Sequence, residues 1–130
     1  MSASILRDKS FAFAVLIVRL VQHIQFQKKE YVLSKQILKS GTSIGAQLEE
    51  GEFAASHADF INKFTISLKE ANETKYWLRL LKAGEYISES QFHEALQECK
   101  EIIAMLVSSL NTLKRNKRTL RSIVLSLLHF

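Results

Sequence analysis

No proline interrupts this chain, and its apolar residues recur at steps of three and four along four separate segments. Proline inside a helix removes a backbone donor and collides with the preceding turn, so its absence leaves long helices available. Recurrence at three and four is the period of one helix face, not the strict alternation of a half-buried strand. Only four glycines occur in 130 residues, so few positions can break those helices. A chain of this length supports one core of moderate size. The pattern predicts a single all-α domain.

The first segment, from about Ile5 to Gln27, is apolar on two sides. Phe13, Leu16, Ile17, Leu20 and Ile24 share one side, and Phe11, Val15 and Val18 share another. A helix in a lone bundle buries one stripe, so the second side predicts a further covering surface and hence an oligomer. The second segment, about Glu30 to Glu50, aligns Ile37, Gly41, Ile44 and Leu48, with Gly45 beside them. Each glycine inside a helix costs roughly 1 kcal/mol relative to alanine. Close approach of a neighbouring backbone or ring would offset that cost. Gly41 and Gly45 are therefore expected at a close helix contact, with Trp77 packed against their small face, and Gly45→Leu is expected to overpack it.

Ser56-His57-Ala58-Asp59 has the form of a capping box that opens the third helix. Phe60, Phe64, Ser67, Ala71, Thr74, Leu78 and Leu81 make its core stripe, and Gly84 is placed to close it. Ser88-Glu89-Ser90-Gln91 is a second capping box. After it Phe92, Ala95, Leu96, Cys99, Ile102, Ile103, Leu106, Leu110 and Leu113 keep one face apolar. Short connections near Lys28, Ala54 and Tyr86 make successive helices antiparallel. The expected architecture is an up-down-up-down four-helix bundle over residues 1–115. A basic amphipathic extension, residues 116–130, either continues the fourth helix or folds back.

Charge is distributed in blocks: +5 over residues 1–48, −5 over 49–113 and +5 over 114–130. Basic ends around an acidic middle suit anionic partners or head-to-tail self-association. Lys114, Arg115, Lys117, Arg118 and Arg121 form the densest cluster and are the candidate nucleic-acid-binding residues. Leu120, Ile123, Val124, Leu127 and Leu128 follow them as an apolar stripe suited to docking on an assembly or partner. Cations at a helix C-terminus also complement its dipole, and a basic amphipathic helix can rest on a lipid surface. The longest apolar run, Phe11 to Val18, is too short to span a bilayer. One cysteine allows no internal disulfide. A cytoplasmic protein without a membrane partner is expected.

On the second helix Gln36, Ser40, Ser43, Gln47 and Glu50 form a polar stripe beside the apolar one. On the third, Glu70 and Glu73 share a stripe with Ile66, Trp77 and Leu80. Buried carboxylates need donors, which serine hydroxyls and glutamine amides supply, so these residues are expected to form a structural network between helices. A lining for a channel is the functional alternative. A di-metal bundle site would need Glu-x-x-His, which does not occur, and His23, His57, His93 and His129 are scattered. Cys99 and His93 are six residues apart on a helix and face different ways. No phosphate loop or nucleophile elbow is present. Catalytic residues, metal and cofactor are all expected to be absent.

Gln36, Ser40, Ser43-Ile44-Gly45-Ala46, Glu50-Gly51, Asp59-Phe60, Glu70-Ala71, Glu73-Thr74 and Tyr76-Trp77-Leu78 together resemble the four-helix bundle family encoded in intervening sequences of bacterial 23S ribosomal RNA genes. The likeness covers about residues 8–113, with Gln47 standing where the family pattern usually has asparagine. An accessory protein of diversity-generating retroelements shares the fold. The resemblance implies a homopentamer around a central channel, and for relatives association with nucleic acid or reverse transcriptase through basic surface. The reading that follows is a non-catalytic, homo-oligomeric binding module for RNA or a ribonucleoprotein partner. The alternative is a protein–protein assembly scaffold with no nucleic-acid role.

Overall fold

The four periodic segments are four helices: α1 (Ala3–Gln27), α2 (Leu33–Gly51), α3 (His57–Ala83) and α4 (Glu89–Leu128). The computed structural model describes residues 3–128, and the side chains of residues 3, 4, 119 and 120 lie outside it. Leu120 and His129, both named in the sequence, therefore fall outside the described side chains. The described residues contain no strand. α1 packs on α2 and α4, and α3 packs on α2 and α4, which leaves α1 and α3, and α2 and α4, on the diagonals. This is the antiparallel four-helix bundle that the periodicity predicts.

Local chemistry sets most helix ends. Ser56 Oγ accepts from Asp59 N–H at 3.1 Å, while the Asp59 carboxylate reaches back to Ala55 N–H at 3.2 Å. Ser88 and Gln91 exchange both bonds of a capping box, at 3.1 and 2.8 Å. α2 departs from expectation, starting at Leu33 and not at Glu30. Its N-cap, Val32, has no side-chain acceptor. Glu30 serves that end instead, its carboxylate accepting from the N–H groups of Val32, Leu33 and Ser34, each at 2.9 Å. Burial pushes this carboxyl up, but the three N–H donors outweigh it and hold the group below its ordinary range.

The end of α3 corrects a second expectation. Gly84 caps the helix with an ordinary φ of −80°, and Glu85 takes the left-handed position at φ 64°. Tyr86 N–H then closes back on the Leu81 carbonyl at 2.9 Å. Position 84 is tight as well: a Cβ there would meet the Tyr86 ring at 3.1 Å, so the ring would have to give by a few tenths of an ångström.

Phe13, Ile17, Ile24, Ile37, Ile44, Leu78, Leu81, Ile102 and Leu106 fill the core and are fully buried. The core stripe read along α3 is buried from Phe64 to Leu81, with Phe60 partly covered at its edge. On α1 only one of the two apolar sides is inside. Phe11 remains 70% exposed and Val18 40%. Ile5–Gln27 is also long and apolar enough to cross a bilayer by length and composition. Counting the longest run misses this, because Arg19 splits the run without lowering the average far. The inner side of this stretch, Phe13, Ile17 and Ile24, is core. Ion pairs tie the helices at the surface: Lys9 to Glu101 at 3.0 Å between α1 and α4, Lys63 to Glu50 at 3.0 Å between α3 and α2, and Arg7 to Glu52.

Candidate functional site

α4 does not turn back after the bundle. It runs unbroken through the candidate basic cluster to Leu128, which settles the choice between continuation and a fifth helix. No glycine or proline follows Gly84, so nothing there favours a break. Lys114, Arg115, Lys117, Arg118 and Arg121 are all exposed. Four of them, Lys114, Lys117, Arg118 and Arg121, line a shallow depression of about 260 Å³ together with Ile61 near the start of α3. Beyond them Ile123, Val124, Leu125, Leu127 and Leu128 are 47–73% exposed. The extension therefore has a basic stem and an apolar distal half.

The polar stripe of α2 faces α3. Thr74 Oγ1 and Ser40 Oγ share a buried hydrogen bond of 2.9 Å, Ser67 Oγ donates to the Ile44 carbonyl at 2.9 Å, and Lys63 Nζ donates to Glu50 at 3.0 Å. This antiparallel register sets Ser43 level with Glu70 and Gln47 level with Ile66. The network differs in membership from the expected one. Its buried members are Ser40, Ser67 and Thr74, whereas Gln36 and Glu73 are exposed and Glu70 and Ser43 are half-buried. Gln47 Oε1 is buried with no partner among the described residues. Burial pushes the Glu70 carboxyl up, the adjacent Glu73 carboxylate adds to the effect, and Lys39 offsets part of it. Ser67 and Thr74 were legible only as small residues on a core stripe, and nothing in their spacing marks them as hydrogen-bonding partners.

Thr74→Val should leave Ser40 Oγ with only the Ile37 carbonyl, at 3.4 Å. A cost of about 1–3 kcal/mol is expected for stranding a buried hydroxyl. Adding Ser40→Ala should recover part of it, because neither partner is then stranded. Urea midpoints of the two single variants and the double variant measure both effects.

The glycine face is also partly revised. A Cβ on Gly41 would lie 2.9 Å from Ile17 Cγ1, so this is a close contact, made with α1. At Gly45 the nearest atoms, in Ser10, would be 3.5 Å away, which is ordinary packing distance. Trp77 covers neither glycine. It lies on α3 level with Gln36, half-buried, with its ring 5.1 Å from Tyr76 in an edge-on arrangement. Ile17 is β-branched and sits where a ring was expected. Among the described residues no group of three or more His, Cys, Asp or Glu side chains is placed to hold a metal. Cys99 is fully buried, and its Sγ donates to the Ala71 carbonyl at 3.3 Å.

A sequence model of the 23S rRNA-intervening sequence proteins matches residues 3–108. The chain belongs to that family. A member of the S23 ribosomal protein family from Bacteroides thetaiotaomicron, whose crystal structure at 1.70 Å is described as that of a protein with unknown function, is 50% identical. The likeness covers 85% of this chain and 99% of that one, with a TM-score of 0.84. No curated protein matches. The 23S rRNA-intervening sequence family thus accounts for the bundle, whereas the stem and distal half of the extension lie past the matched residues.

Proposed function

We propose that this 23S rRNA-intervening sequence protein is a non-catalytic, homo-oligomeric module that binds RNA or a ribonucleoprotein partner through the basic stem of α4. The observation that carries the reading is five exposed cations between Lys114 and Arg121, with no acidic residue from there to Phe130. Such a helix neutralises phosphates and releases their counterions, with no catalytic group required. The uncovered outer side of α1, with Phe11 and Val18 exposed, supports self-association. Five copies is the number the family resemblance favours.

Two measurements test this. Light scattering at micromolar concentration should give about five times the 14.9 kDa chain mass, and a monomer would contradict the homo-oligomeric reading. The second replaces Lys114, Arg115, Lys117, Arg118 and Arg121 with glutamine and titrates single- and double-stranded RNA at two salt concentrations. For the parent, log affinity should fall with log salt by about 0.7 per phosphate contacted on single strands. The substituted protein should bind more weakly and with a flatter slope. Unchanged affinity and slope would remove the stem from the interface, and a parent that binds nothing at low salt would end the nucleic-acid reading. The apolar distal half favours the scaffold reading instead, whose partner binding would be nearly insensitive to salt.

A further inference from the structure

The extension continues α4 as one helix past the start of α1. Lys9, in the second turn of α1, pairs with Glu101, so α4 has already passed the start of α1 well before Lys114. Residues 114–128 then extend about 22 Å at ~1.5 Å per residue. Val124, Leu127 and Leu128 recur at steps of three and one and continue the face that carries Leu106 and Leu110 into the core. Within one chain this face is uncovered.

A receiving surface exists at the same end of the bundle. Between α1 and α2 a groove of about 260 Å³ is lined by Phe11, Ala14, Gly45 and Ala46, with Thr42, Glu49 and the Arg7 side chain, itself paired with Glu52, completing it. The small residues leave room, and Phe11 offers apolar area. Asp8, Glu49, Glu50 and Glu52 cluster at this end and are exposed, although Glu50 and Glu52 already hold Lys63 and Arg7. An arm with five cations and no acid complements that rim. The arm cannot reach the groove of its own chain. α4 packs beside α1 and α3 with α2 on the diagonal, and the helix continues without a break.

We propose that the distal half of the α4 arm docks in the α1–α2 groove of a second copy of this chain. Val124, Leu127 and Leu128 lie against Phe11 and Ala46 of that copy, and Lys117 and Arg121 reach its acidic rim. Arg115 and Arg118 lie about 180° and about 120° around the helix from Val124. A docked arm therefore still presents cations outward, and assembly gathers them from several copies. The inference rests on the homo-oligomeric reading and gives it an interface.

The test mixes two full-length variants, Ala46→Cys and Leu127→Cys, and treats them with a short bis-maleimide. Cys99 is fully buried and stays out of the reaction. The mixture should give a two-chain adduct well above the level that either variant gives alone. Adding Leu127→Asp and Leu128→Asp to the parent should abolish assembly-dependent protection of a groove probe: single Ala46→Cys, slow to react in the parent background, should become freely reactive. Both substitutions lie outside the bundle, so the helical circular dichroism signal should be unchanged, and any fall in melting temperature should be no more than the loss of assembly gives. A monomeric parent would sink the homo-oligomeric reading and the arm together. An oligomeric parent without the mixed adduct overturns the arm alone, and so does binding of the arm to anionic vesicles with the groove cysteine unprotected.

Discussion

Gly41→Leu is expected to destabilise the bundle by about 3 kcal/mol, the upper part of the range for overpacking a close-packed site. Even the first added atom lies 2.9 Å from Ile17 Cγ1 and 3.0 Å from Cγ2. Ile17 is fully buried between α1 and its neighbours and has nowhere to move. Its β-branch also locks χ1 within a helix, so rotation offers little relief. Gly45→Ala makes the contrast. Its new methyl would sit at 3.5 Å from Ser10, and alanine gains about 1 kcal/mol of helix propensity over glycine. Urea denaturation should therefore show a large fall for Gly41→Leu and an equal or higher midpoint for Gly45→Ala. Equal losses in the two variants would mean that the α1–α2 contact is not centred on Gly41.

The same pair of glycines shows what a sequence makes legible. Two glycines in helical register signal close approach, because their cost needs an offset, and the contact at Gly41 exists. Which helix supplies the covering residue depends on bundle order and rotation, and periodicity is silent on both. Helical register alone places Trp77 against the face of Gly41 and Gly45. In the fold it lies on the α3 side of α2, whereas Ile17 comes from α1. The α2 start failed for another reason. Ser, Thr, Asp and Asn are the ordinary cap residues, and none stands among residues 28–32, so a glutamate two residues outside the cap does their work through a longer side chain. The basic cluster was legible in full, since charge density along a helix needs no tertiary information. Its continuity with α4 is not legible in the sequence, because a missing break permits continuation without requiring it.

Between pH 9 and 12 the folded protein is expected to lose stability through Cys99 at about 1.4 kcal/mol per pH unit, about 4 kcal/mol in all. Burial pushes this thiol up from 9.0 to about 12, with Lys75 acting in the opposite direction. Below pH 9 the thiol is neutral in both folded and unfolded chains and contributes no pH dependence. Above it, the unfolded chain releases the proton while the folded chain, with Sγ held against the Ala71 carbonyl, keeps it. Rising pH therefore favours unfolding until the folded thiol also ionises. Lysines and tyrosines titrate in the same range, so the parent curve alone does not isolate the effect. The comparison with Cys99→Ala does, because those groups are common to both. The alanine variant should start below the parent at pH 8, having lost a buried contact, and the gap should narrow and then reverse as pH rises. Alkylation of the parent at pH 8 should be orders of magnitude slower in buffer than in denaturant, since reaction then waits on opening. Parallel stability curves, or a fast-reacting native thiol, would mean that Cys99 is reached by solvent and that the α3–α4 seam around Ala71 is open.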